Sequence, residues 1–313
     1  MNAFGADEIL LGEALYRTEA HLVACCELYG IGRVPDALLQ AARPMTDVLP
    51  WLETEARSAG DALQDLYTAA AAIGAQVRGT VPPRRLRRAL EPVAAARDRM
   101  MEAVVGPGWD RPDYRASVAL ALLGSASEAY RRGVEGEVLG DYQSAYALVA
   151  VAQELLEEAG AGKVARLDEA LGAIAVALPA VEPPERLARP DDLDRLVGVV
   201  VTGAVEELGA KEARRTLEDS LRKVDRLLGD VLNSYERGLG PLAARLAASL
   251  FVRSYDPIRR DLSARDPDAE ARLTGLLGFE LRTAINENAE AARVRELATE
   301  AHDLLVGDGG PTS

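Results

Sequence analysis

ADEILLGEALYRTEAHLVACCELY, residues Ala6 to Tyr29, decides the fold class. Leu10, Leu11, Ala14, Leu15, Leu22, Cys25 and Cys26 recur at the three- and four-residue spacing of a helix, while Glu13, Arg17 and Glu19 take other positions. The pattern predicts an amphipathic helix. Gly30 and Gly32 follow it, where glycine commonly closes a helix end.

The same spacing continues outward along the chain. Helices are predicted near 35–42, 49–58, 60–77 and 82–105, with Pro35, Pro50 and Pro82 suited to first turns and Pro92 placed to kink or divide the last helix. GPGWDRPDY at 106–114 holds two glycines and two prolines, so the main boundary is expected there. Beyond it, helices are predicted at 115–135, 141–159 and 164–178. PAVEPPERLARP at 179–190 interrupts them with four prolines, as a hinge or an exposed loop. Further helices follow near 192–208, 211–239, 242–260, 268–285 and 291–306, and the polar tail 307–313 is expected to be flexible.

The expected architecture is therefore all-α: stacked antiparallel helical hairpins forming one or two bundles, with domains at 1–105 and 115–306. The later domain carries a candidate internal duplication, 115–180 and 190–306. Tyr130-Arg-Arg-Gly133 is matched 105 residues later by Tyr235-Glu-Arg-Gly238, and Ala165-Arg-Leu167 with Leu171-Gly172 is matched 106 residues later by Ala271-Arg-Leu273 with Leu277-Gly278. These offsets are those of one duplicated unit or of chance likeness between Ala-, Leu- and Arg-rich helices.

Composition agrees with helices and narrows the partners. In 313 residues, hydrophobic side chains make up 48% and aromatic ones only 4%, which suits Leu, Ala and Val packed between close helices. A net charge of −14 repels phosphate backbones and anionic lipid, so nucleic acid is not expected as a partner. The longest apolar run, 145–152, is far short of the ~20 residues of a membrane helix, so no direct membrane insertion is expected. The first residues lack a basic start and an uninterrupted apolar stretch; without a visible signal peptide, a cytoplasmic location is expected. Cys25 and Cys26 are adjacent, which excludes a disulfide framework.

Catalytic signals are absent. No phosphate loop, nucleophile elbow, CxxC pair or dinucleotide fingerprint occurs, and the two histidines, His21 and His302, lack the Glu-x-x-His spacing of a di-iron bundle. His21 and Cys25 share a helix face but have no third ligand beside them, so they read as packed core residues. Carboxylate pairs such as Glu157-Glu158, Asp168-Glu169 and Glu206-Glu207 read as solvated helix faces. No catalytic residue and no enzymatic activity is expected.

One stretch resembles a known family. Tyr130-Arg-Arg-Gly-Val-Glu-Gly136-Glu-Val-Leu-Gly-Asp141-Tyr142-Gln143, then Tyr255-Asp256, Asp266-Pro267 and Phe279-Glu280-Leu281-Arg282 before Ile285, follow in the order found in the soluble helical domain of bacterial high-affinity iron permeases. The resemblance spans about 115–306. It implies a non-enzymatic domain that binds iron or a transport partner, such as a membrane permease or another protein, with Glu128, Glu137, Asp141, Asp256 and Glu280 as the metal carboxylates. The chain departs from the family in carrying Asp256, Pro257, Ile258, Arg259 and Arg260 where a glutamate pair would stand. Arg295-Glu296-Leu-Ala-Thr-Glu300 is also one residue longer than the permease Arg-Glu-x-x-Glu motif, and the family domain is extracytoplasmic. The competing expectation is a metal-free helical scaffold whose faces recruit another protein.

Overall fold

The computed structural model describes residues 4–56, 59–212 and 217–306, so the tail 307–313 lies outside the described residues. The fold is all-α, and no strand occurs among the described residues. Two compact units form, Met1–Ala213 and Arg214–Ser313.

The first unit opens with α1 (Ala6–Gly30). Next comes α2 (Val34–Arg43), which runs through a π turn (Pro44–Val48) into α3 (Leu49–Glu55). α4 (Gly60–Arg78), α5 (Pro83–Arg88) and α6 (Leu90–Val104) complete a first set. The helix expected at 82–105 parts at Ala89, because Pro92 has no N–H to return to the carbonyl of residue 88. A second set contains α7 (Pro112–Glu135), α8 (Leu139–Glu158), α9 (Ala165–Ala177) and α10 (Pro190–Leu208).

Both sets share one core, which runs from Ile9 to Ala210. The boundary expected at 106–114 is thus corrected: this segment is a turn inside a single unit. Tyr114 is fully buried, donates its hydroxyl to the Glu8 carbonyl at 2.8 Å and stacks obliquely on Phe4 with ring centroids 4.5 Å apart. The reason lies in α1, which packs against α2 and α6 and also against α7 and α8. Surrounded in this way, α1 is not amphipathic. Glu13, Thr18 and His21 are as buried as Leu15 and Leu22 around it. Polar groups held there need partners, and Glu13 accepts hydrogen bonds from Arg17 Nε at 2.8 Å and Ser125 Oγ at 3.0 Å.

The second unit has its own core, from Leu221 to Leu305. It consists of α11 (Leu217–Glu236) and α12 (Gly240–Ser249), the latter continued by a π turn, a 3-10 turn and α13 (Arg259–Arg265). α14 (Pro267–Gly275) passes through a second π turn into α15 (Leu281–Asn286), and α16 (Ala291–Val306) closes the unit. Helices expected near 242–260 and 268–285 are thus present, and the backbone stays right-handed helical where these turns widen or tighten it. No helix among the described residues is long and apolar enough to cross a membrane.

One neighbour order recurs three times. α1 packs on α2 and α6, and α4 packs on the same two; α7 packs on α8 and α10, and α9 on the same two; α11 packs on α12 and α16, and α15 on the same two. Each set is a closed ring of four helical segments. A tyrosine near the end of the first helix of each ring marks the same corner: Tyr29, Tyr130 and Tyr235 donate their hydroxyls to the carbonyls of Val81, Ala188 and Ala289, at 2.7, 2.8 and 2.6 Å. Each of those carbonyls lies two residues before the start of the next helix, at Pro83, Pro190 or Ala291; α10 and α16 close their rings directly, whereas in the first ring the short α5 comes before the closing helix α6.

The first and third rings also turn their first corner alike. Tyr29-Gly-Ile-Gly32-Arg-Val-Pro35 and Tyr235-Glu-Arg-Gly238-Leu-Gly-Pro241 put a left-handed glycine at the same place, with φ of 84° and 77°. Arg33 N–H then reaches the Leu28 carbonyl at 2.8 Å, and Leu239 N–H the Ser234 carbonyl at 3.0 Å. In the second ring Gly133 stays helical instead. A Cβ there would lie 2.7 Å from the Tyr142 backbone nitrogen, so Gly133 permits the close approach of α7 and α8.

Candidate docking surface

The five carboxylates brought forward by the resemblance do not gather. Glu128, Glu137 and Asp141 belong to the first unit, Asp256 and Glu280 to the second. Glu128 and Glu137 are exposed. Asp141 lies between two guanidinium groups, Arg43 Nη2 at 2.8 Å and Arg132 Nε at 3.2 Å. Asp256 pairs with Arg259 at 3.2 Å, and Glu280 pairs with Arg272. A cation would have to displace these arginines, so the residues do not fit an iron site. Among the described residues no group of three or more His, Cys, Asp or Glu could hold a metal ion.

The histidine and cysteine candidates are structural. His21 Nδ1 lies 3.1 Å from Gln40 Oε1 in a buried polar seam, where Gln40 Nε2 donates to the Gly140 carbonyl at 2.9 Å. Ser144 Oγ donates to the same carbonyl at 2.8 Å. Burial pushes the Cys25 and Cys26 thiols up to about 12, so neither supplies a thiolate near neutrality. His302 is exposed on α16, 2.5 Å from Asp225. The carboxylate pairs at 157–158, 168–169 and 206–207 are all exposed.

A different place concentrates unusual features. Where the first ring closes, Val34 and Leu38 from α2, Val77 from α4 and Pro83 from α5 form apolar walls of an open groove of about 520 Å³. Tyr29, Arg78 and Thr80 contribute its polar lining. The tyrosine bond to Val81 fixes the connection between α4 and α5 across this corner, and Thr80 accepts a left-handed φ of 57° to make the turn. Ile31 and Val34 leave apolar surface open beside it, at 53% and 37% exposure.

The rim is cationic. Arg78, Arg84, Arg85, Arg87 and Arg88 are exposed, and no Asp or Glu occurs between residues 78 and 90. None of the five makes an ion pair among the described residues. Leu86, fully buried, pins α5 against α1, where Cys26 Sγ lies 3.8 Å from its carbonyl. The helix is thus held by one side chain while its guanidinium groups face solvent.

Sequence reading passed over this surface. The signal was present as the run Pro82-Pro-Arg-Arg-Leu-Arg-Arg88, whose charge opposes that of the chain as a whole. A net charge of −14 concealed it by averaging. Comparison with protein-family models, curated proteins and solved structures finds no match to this chain.

Proposed function

We propose that this chain is a non-enzymatic helical scaffold, made of three copies of one four-helix unit, that holds a protein partner. The observation carrying this reading is the groove of the first ring: an apolar trough with five arginines that make no ion pair among the described residues, on a chain of the opposite net charge. Such a combination of exposed apolar surface and concentrated charge is the usual mark of an interaction site. The triplication is supported by the recurring neighbour order and by the three tyrosine-to-carbonyl bonds at equivalent corners. It extends the twofold likeness of the sequence by one further copy, at 6–104.

Iron binding, which the permease resemblance implies, has less behind it. Three of its five carboxylates are engaged by arginines, and the five are divided between two units. Purification of the tagged chain from the cells that produce it, followed by size-exclusion chromatography with light scattering, tests the scaffold. A stoichiometric protein partner is expected. A chain that elutes alone and binds ferric iron tightly overturns the reading.

A further inference from the structure

The geometry points to the partner's chemistry: the groove of the first ring receives an acidic protein segment that carries an apolar anchor. This inference rests on the scaffold reading and specifies what that scaffold holds. The anchor lies against Val34, Leu38 and Val77, and the carboxylates beside it meet Arg78, Arg84, Arg85, Arg87 and Arg88.

The molecule contains its own control for these arginines. The helix that closes the second ring begins Pro190-Asp-Asp-Leu-Asp194, and the one that closes the third begins Ala291-Ala-Arg-Val-Arg295. There the charges are matched: Asp191 and Asp194 pair with Arg131, Asp192 with Arg189, Arg293 with Glu296 and Arg295 with Glu236. The same corner is therefore built without an unpaired arginine run, and the fold does not require one. Four guanidinium groups within five residues repel one another unless anions come between them.

Charge and shape together select the class of partner. Nucleic acid would leave the apolar walls unused, and a long polyanion or an anionic bilayer would also meet the acidic remainder of the chain. A short acidic segment senses mainly the charges within a Debye length, ~8 Å at physiological ionic strength, and so sees the arginines. The groove is open rather than enclosed, which suits a peptide segment lying along it.

Fluorescence anisotropy with the full chain tests this, using a short labelled peptide of repeated Glu-Glu-Leu as probe. Saturable binding is expected, weakened by salt and weakened roughly tenfold or more by R84E/R85E/R87E/R88E. Val34→Ser, which removes apolar wall without adding charge near an arginine, is also expected to weaken it, with circular dichroism confirming that both variants fold. Unchanged affinity in the quadruple variant overturns the proposal. So does equal binding of a Glu-only peptide, or tighter binding of duplex DNA or of vesicles containing phosphatidylglycerol. If the quadruple variant keeps the partner that co-purifies with the wild-type chain, this inference falls while the scaffold stands; if the wild-type chain has no partner, the scaffold falls as well.

Discussion

Tyr29, Tyr130 and Tyr235 show how a single side chain sets a corner. Each hydroxyl satisfies a carbonyl in the turn that leads into α5, α10 or α16, where the backbone has left one helix and not yet entered the next. Replacing each tyrosine by Phe is expected to cost about 1 kcal/mol, the usual net value of one such bond, with similar losses at the three sites in urea denaturation. A loss confined to one site would argue against their equivalence. Gly133 is a sharper case. Its missing Cβ leaves room for the Tyr142 backbone, so Gly133→Ala should cost about 1–3 kcal/mol by overpacking, although alanine is otherwise the better helix former. Denaturant titration checks the sign. Of the tyrosines, Tyr130 and Tyr235 were legible in the sequence, through the likeness of the segments around them. The two uses of glycine were not: Gly133 and Gly238 follow their tyrosines at the same spacing, but one packs inside a helix and the other ends one.

At the scale of elements, hydrophobic spacing located the helices well, and Pro35 and Pro50 lie in first turns as expected, while Pro82 stands just before α5. The spacing failed where a helix is surrounded. α1 has apolar residues at helical spacing, but Glu13, Thr18 and His21 at other positions are also buried, because α2, α6, α7 and α8 all pack on it. A pattern read as one apolar stripe could not reveal that Glu13 and His21 would find polar partners inside. Pairing between elements also carries a pH dependence. His302 on α16 hydrogen-bonds Asp225 on α11, and that bond together with the charges of Asp225 and Asp303 raises the imidazole above its ordinary value. A raised folded-state value means that the contribution is fully present below the unfolded value, about 6.5, and is lost as pH rises through the folded one. The melting temperature of the wild-type chain should therefore exceed that of His302→Gln at pH 6, and the gap should narrow toward pH 9. A gap that widens with pH would refute the pairing.

For the whole molecule, charge is the property most easily misread. The total of −14 argued against anionic partners, and the permease resemblance named particular carboxylates as metal ligands. Folding distributes those residues over two units and sets arginines beside three of them. Calorimetric titration with ferric, ferrous and zinc ions is accordingly expected to give flat isotherms; tight saturable binding lost on Asp141→Ala or Glu280→Ala would restore the metal reading. The division of the chain shifted for a related reason. Proline and glycine at 106–114 do end a helix, but the turn they make returns the chain onto α1, so the core continues to Ala210.

By itself the sequence determined that this chain is helical, because the period of its apolar residues is a local property and the scarcity of aromatic and β-branched runs leaves no competing pattern. Tertiary structure alone decided which helices surround α1, where one core stops and the next begins, and that five arginines between 78 and 88 stand beside an apolar groove without an ion pair among the described residues. Those outcomes depend on which distant groups meet. Spacing along the chain does not encode that, since a charge is neutralised or left free by partners from whichever helix packs against it.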